Sequence, residues 1–257
     1  QRIAPLVGHR RKLVPAPVLA SQILVFNHIP KTAGTSFNTL ISNNVPKNTI
    51  LKLTFGQYKH LQNLTDKEKE ALYAITGHLP FSYFNGIRFP KPLVHMTFLR
   101  DPVERIISFY GYIHQNVTHK LHRRVVKEKM TLADFIAKVE TTELDNLQVR
   151  FLCSTDYSSV PIGGCTESLL EEAKNNLLNS FPLLGMQESF ESAAIRCGEH
   201  LGWSNLAVAK ENLTTKKLRQ QEIDEQTLTI INDRNQLDWK LYEFAKDLLA
   251  ERTSKST

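Results

Sequence analysis

Short apolar runs alternate along the chain with longer stretches in which apolar residues recur every three or four positions. "QILVFNHI", residues 22–29, is a continuous run rich in branched side chains, the pattern of a strand buried on both faces. "ALYAITGHL" and "KPLVHMTFLRD" repeat it, and each ends at a loop that carries polar residues. After the first run, "TSFNTLISNNV" places Phe37, Leu40 and Ile41 on one side of a short helix. From "DPVERIISFYGYIHQ" onward helical spacing dominates, through "TLADFIAKVE", "ESLLEEAKNNLLNSF" and "ESFESAAIRCGEHLGW" to one long last helix over "DEQTLTIINDRNQLDWKLYEFAKDLLAE". Strands alternating with helices predict an α/β fold with a parallel sheet and helices on its faces. Ligands of such sheets bind beyond the carboxyl ends of the strands, where the polar loops fall.

Composition narrows this picture only a little. With 257 residues, 41% of them apolar, the chain can build one large core, read here as a single domain over residues 21–252 behind a basic N-terminal arm over residues 1–20. A formal charge of +6 favours anionic partners, and sign alone does not choose among nucleotide, nucleic acid, acidic glycan and membrane surface. No run of about 18 or more apolar residues suggests a membrane span. Three cysteines are too few for a disulfide framework, and their spacing matches no zinc pattern; a Cys153–Cys165 bridge and two ordinary thiols stand as equal readings. The sequons at Asn63, Asn116 and Asn212 matter only in a secretory lumen.

The first strand runs into "PKTAGTS", a polar loop that opens a helix. Gly34 lets backbone approach a ligand, the first helical N–H groups point outward, Thr35 and Ser36 add hydroxyl donors, and Lys31 adds a full charge. These are the parts of a phosphate site. In the nucleoside-triphosphate loop, G-x-x-x-x-G-K-[ST], the lysine comes late; here it comes first, and no G-K-[ST] occurs in the chain, which argues against an ATPase or kinase. The plainer reading is a helix whose Thr and Ser satisfy its own N-terminus.

"VHMTFLRDPVERIISFY" repeats the plan, with Arg100 at a strand end and a helix opened by Asp101 and Pro102. Ser108 lies about two helical turns beyond Arg100, so the two serve one anion if the ligand lies alongside that helix. Pairing of Arg100 with Asp101 or Glu104 is the alternative.

Together, "PKTAGTS" and "RDPVERIISFY" resemble the 5′-phosphosulfate and 3′-phosphate signatures of the sulfotransferases that use 3′-phosphoadenosine 5′-phosphosulfate (PAPS), in particular the carbohydrate branch that includes the heparan sulfate 2-O-sulfotransferases. The likeness continues through "GHLPF", "NLQVRFLC", "LLEEAKNNLLNSFPLLGMQESFES" and "LDWKLYEFA", covering most of the chain from about Ile23. It implies a three-layer, P-loop-like α/β fold with a central parallel sheet flanked by helices, and PAPS without a metal, leaving adenosine 3′,5′-bisphosphate as product. By that resemblance Lys31, Thr32, Ala33, Gly34, Thr35 and Ser36 surround the 5′-phosphosulfate, and Arg100 and Ser108 hold the 3′-phosphate. "TTKK", residues 214–217, is similar to a late segment that closes over the nucleotide, which adds Thr215 and Lys216; a solvated turn is the competing reading.

Sulfuryl transfer to an alcohol needs in-line alignment, positive charge on the leaving oxygen and a base for the alcohol proton. Lys31 fits the second need. For the base, histidine titrates near neutrality, and His78 stands between the two nucleotide motifs at the position of the catalytic histidine in the 2-O branch. His28 can contact acceptor or sulfate, and it replaces the arginine that the 2-O branch carries before the loop. His95, inside an apolar strand, reads as a buried, hydrogen-bonded side chain. The basic run 114–129 supplies Arg123, Arg124 and Lys127 as contacts for an anionic or neutral glycan. The expected function is thus a PAPS-dependent O-sulfotransferase acting on a carbohydrate. A small alcohol, lipid or tyrosine acceptor is the second reading, and a basic polyanion-binding module without catalysis the third. No nucleic-acid partner is expected, because the aromatic and basic interleaving of RNA-binding modules is missing. The setting is the cytoplasm for a bacterial enzyme and the Golgi lumen for a truncated eukaryotic one.

Overall fold

Five runs of branched and aromatic residues pair into one parallel sheet: β1 (Ile23–Asn27), β2 (Ile50–Leu53), β3 (Ala74–Gly77), β4 (Leu93–Leu99) and β5 (Leu183–Met186), in the spatial order β2-β3-β1-β4-β5. The computed structural model describes residues 21–54, 56–207 and 223–254. The helices are α1 (Gly34–Asn44), α2 (Tyr58–Asn63), α3 (Asp66–Glu70), α4 (Pro102–Gln115), α5 (His122–Lys127), α6 (Leu132–Lys138), α7 (Leu147–Leu152), α8 (Glu167–Asn179), α9 (Phe190–His200), α10 (Glu225–Arg234) and α11 (Gln236–Ser254).

The central strand shows why its sequence is an unbroken apolar run. Leu24 and Phe26 pack on one face against Phe37, Leu40 and Ile41 of α1 and Ala193 and Ala194 of α9. Ile23 and Val25 face the other side, with Leu61, Ile75 and Leu79. Further along that side Leu184 and Met186 of β5 meet Phe151, Leu170 and Leu241 from α7, α8 and α11. Both faces are covered, giving the expected three layers, and full burial of a side chain such as Phe26 contributes about 2–3 kcal/mol. A further cluster, with Val103, Ile107, Phe135 and Ile231, joins α4, α6 and α10.

The chain leaves β1 toward β2 and leaves β4 toward β5, on opposite sides of the sheet. The carboxyl ends of β1 and β4 therefore flank the topological switch point, and β3 ends next to them on the other side of β1.

Two expectations are corrected. β2 and β5, at four residues each, are not among the expected strands, and β5 falls in the gap between two stretches expected to be helical. The long last helix is two helices, α10 and α11, broken at Asn235. That side chain is fully buried and donates to the carbonyls of Leu144 and Ile231 while accepting from the Asn146 N–H, so it draws the backbone out of the helical path. Among the described residues no helix is long and apolar enough to cross a membrane. Residues 1–20 lie outside the described residues.

Candidate active site

The loop after β1 is held in an unusual shape. Lys31 (φ 70°) and Ala33 (φ 66°) are both in the left-handed region, which costs non-glycine residues about 1–3 kcal/mol each. Two ties sustain it. The Thr32 hydroxyl, fully buried, donates to the Ile29 carbonyl at 2.8 Å, and Nη1 of Arg100 donates to the Lys31 carbonyl at 3.1 Å. The loop delivers Ala33 as the N-cap of α1 with no side-chain cap and no acidic residue in the first turn. Such backbone, with an uncapped helix start behind it, forms an anion-binding concavity. Thr35 is exposed and Ser36 half-buried at its rim, while Thr32 faces inward.

The Lys31 ammonium lies over the Tyr112 ring, 4.3 Å from its centroid. Burial, and then the nearby Arg100 guanidinium, push it down to about 8, against an upward pull from Glu143.

Arg100 follows β4 and is 5% exposed. Its backbone is clamped on both sides by the buried Gln148, which accepts from the Arg100 N–H at 3.0 Å and donates to its carbonyl at 2.9 Å. Nη2 pairs with Glu104 at 3.2 Å, the local partner foreseen as an alternative. Nε is buried without a partner among the described residues, an orphan donor of the kind an anion settles. Ser108 lies four residues beyond Glu104, on the same face of α4, and Tyr112 continues that face.

His78 follows β3. Gly77 (φ 150°) precedes it because a Cβ there would stand 1.8 Å from the Leu53 carbonyl oxygen. The Leu79 N–H then bonds the Gly77 carbonyl at 2.9 Å, closing a tight turn centred on His78. The ring's Nδ1 lies 2.9 Å from the His28 carbonyl, which can only accept, so Nδ1 carries the proton and Nε2 is the basic nitrogen of the neutral ring. Burial lowers its pKa; the His28 carbonyl opposes this and Lys31 adds to it. His28 itself lies 4.4 Å from His78, ring centroid to centroid, and is stacked on Phe26 at 5.5 Å. Burial, then His78 and Lys31, hold His28 well below the ordinary imidazole range.

The remaining expectations separate. Arg124 is tied to Glu128 and to the Lys138 carbonyl, and Arg123 and Lys127 are exposed on the same short helix; none of the three bonds to His78, Lys31 or Arg100. Thr214, Thr215, Lys216 and Lys217 fall outside the described residues. His95 is buried and bonded to Asn27, as read. The sequence reading missed Gln148 and Tyr112. Helical spacing along α4 from Glu104 through Ser108 could have found Tyr112; nothing local marks Gln148.

In this α/β fold Lys31, in the loop after β1, and Arg100, directly after β4, stand at the switch point between adjacent parallel strands, where sheets of this kind bind their ligands. The chain belongs to the sulfotransferase family, whose model matches residues 18–245. It is 26% identical over 188 residues to mouse (Mus musculus) heparan sulfate 2-O-sulfotransferase 1, covering 66% of this chain and 52% of that protein. It is equally 26% identical over 276 residues to human (Homo sapiens) heparan-sulfate 6-O-sulfotransferase 1, covering 90% of this chain and 66% of that one. The chain thus spans about half the length of the 2-O relatives it matches.

Proposed function

We propose that the protein transfers a sulfuryl group from PAPS to a hydroxyl of a carbohydrate. One observation carries the reading: a neutral histidine with a defined basic nitrogen, a lysine and a buried arginine stand at the carboxyl ends of three neighbouring strands. These match the three needs of the reaction. PAPS, when bound, supplies a sulfuryl group on a phosphate leaving group. Lys31, the loop backbone of residues 32–36 and the hydroxyls of Thr35 and Ser36 hold the phosphosulfate end. Arg100 and Ser108 hold the 3′-phosphate, and the Arg100 Nε, which has no partner among the described residues, fits that assignment. Nε2 of His78 takes the acceptor proton, and the Lys31 ammonium offsets charge on the leaving phosphate. His28 borders the acceptor side through its ring contact with His78.

The relatives are named for heparan sulfate at two different positions, 2-O and 6-O, at equal identity. The proposal is therefore an anionic or neutral glycan acceptor with no ring position attached. Calorimetric titration with adenosine 3′,5′-bisphosphate, against 5′-AMP as control, tests the donor site: clear preference for the bisphosphate supports it, and equal or no binding overturns it. For the base, His78→Ala is expected to abolish transfer while keeping bisphosphate affinity. Wild-type turnover in that variant removes His78 from the role.

A further inference from the structure

Asn27 ends β1 and is wholly buried, a polar side chain in the middle of the sheet. A buried carboxamide must place its donors and its acceptor. Nδ2 of Asn27 donates to the Leu79 carbonyl at 2.7 Å. With the nitrogen so committed, Oδ1 faces Nδ1 of His95 at 2.7 Å and accepts its proton, which assigns the His95 tautomer. The His95 ring is boxed in by Phe81, Phe84 and Phe181, with centroids 5.0–5.4 Å away, so it has little freedom to release that bond.

These bonds converge on the turn that carries His78. The Gly77 carbonyl accepts from the N–H groups of both Leu79 and His28, and the Leu79 carbonyl accepts from Asn27. The His78 ring is tied to the His28 carbonyl, one residue beyond Asn27. Backbone before His78, backbone after it and its own imidazole are all fastened to the same two residues at the end of β1. A leucine or valine in place of Asn27, like its neighbours in the strand, would leave the Leu79 carbonyl and the His95 N–H without partners.

We propose that Asn27, oriented by His95, is a positioning residue that sets the aim of His78 at the acceptor hydroxyl. This rests on the reading of His78 as the base. A base misplaced by a fraction of an ångström loses rate without losing the nucleotide site, which is built on other residues.

The test compares Asn27→Asp, which keeps volume and acceptor but cannot donate to the Leu79 carbonyl, with His95→Gln, whose amide can still donate to Asn27. For Asn27→Asp kcat is expected to fall by about ten- to a hundredfold with bisphosphate affinity unchanged. Loosening the bond to the His28 carbonyl lowers the His78 pKa while a carboxylate at residue 27 raises it, so the acid limb should move in Asn27→Asp, and His95→Gln, which adds no charge, should show the downward shift alone. His28 and Lys31, the charged or titratable groups beside His78 among the described residues, are both left in place. His95→Gln is expected to show a smaller loss in the same direction. If Asn27→Asp does not fold, as judged by its circular dichroism and thermal unfolding, His95→Gln carries the test by the same two readouts. Wild-type kcat with an unmoved acid limb in the folded variant overturns the proposal, as does a parallel loss of turnover and binding capacity, which marks a purely structural role. His78→Ala separates the two levels: if it is inactive while the Asn27 variant is wild-type, only the positioning role falls; if it is active, the base assignment falls first.

Discussion

The units β1–loop–α1 and β4–Arg100–α4 look alike in sequence, yet they prepare for an anion in opposite ways. In the first, the helix start is open: Ala33 offers no cap, no carboxylate stands in the first turn, and the loop is bent through two left-handed residues. In the second, the helix start is closed. Asp101 accepts from the Glu104 N–H at 3.0 Å, Pro102 removes one donor, and the Asp101 N–H is itself taken by Glu188. An anion at the first unit meets backbone and a lysine; at the second it meets only the Arg100 side chain and whatever α4 presents along its face. The lesson is that a strand, a cation and a helix start do not make a phosphate site of one kind. The cap residue decides whether backbone or side chain does the binding.

The largest effect that can break this contrast comes from Lys31→Ala. If Lys31 acts on charge that develops in the reaction, kcat is expected to fall by about 10²–10³-fold while bisphosphate affinity changes little, because the loop backbone remains. Equal losses in both would make Lys31 a binding residue like Arg100. For Arg100→Ala the expectation is reversed: bisphosphate affinity falls by about 10- to 100-fold, or about 1.4–2.8 kcal/mol, and 5′-AMP affinity is unchanged because it lacks the 3′-phosphate. Calorimetry in which both nucleotides weaken together would show that Arg100 works by tethering the Lys31 carbonyl instead.

Much of this contrast could be read from the chain itself. Lys31, Arg100 and the helix starts lie within single strand–loop–helix segments, where spacing along the sequence is spacing in the structure. Asp101 and Pro102 already marked the closed helix start. What could not be read depends on partners far apart in the chain: Gln148 meets Arg100 across 48 residues, and Arg100 meets Lys31 across 69. The left-handed Lys31 and Ala33 were hidden for the same reason, since local preference disfavours them and tertiary bonds hold them. β5 escaped because four residues show no period, and its neighbour β4 is more than eighty residues earlier in the chain.

A pH profile sharpens the link between the two units. Lys31 sits at about 8, below its ordinary 10.5, through burial and then Arg100. Between those values the unfolded chain binds a proton that the native chain does not, so Lys31's contribution to stability rises with pH through the window and is unfavourable below it. Activity runs the other way. Without its charge Lys31 cannot serve, so kcat/KM for the donor is expected to fall about tenfold per pH unit above about 8. Arg100→Ala removes one cause of the depression and should move that limb upward. A limb that stays in place would uncouple the two cations.

The smallest effect tests how tightly the open unit is wedged against the histidines. In a helix, glycine to alanine ordinarily stabilises by about 1 kcal/mol. At Gly34 a Cβ would stand 1.8 Å from Nε2 of His28, with two further ring atoms at 1.9 and 2.2 Å. His28 has little room to retreat, since Phe26 stacks against its ring and His78 lies 4.4 Å away. Gly34→Ala is therefore expected to destabilise by about 1–3 kcal/mol, lowering Tm by about 2–4 °C per kcal/mol. Any displacement of His28 reaches His78 through the bond to its carbonyl, so kcat should fall several-fold while Arg100 and the 3′-phosphate end are untouched. A raised Tm with unchanged kcat would show that the His28 ring swings clear at no cost. The open helix start would then be set by the loop alone, independent of the histidine pair beside it.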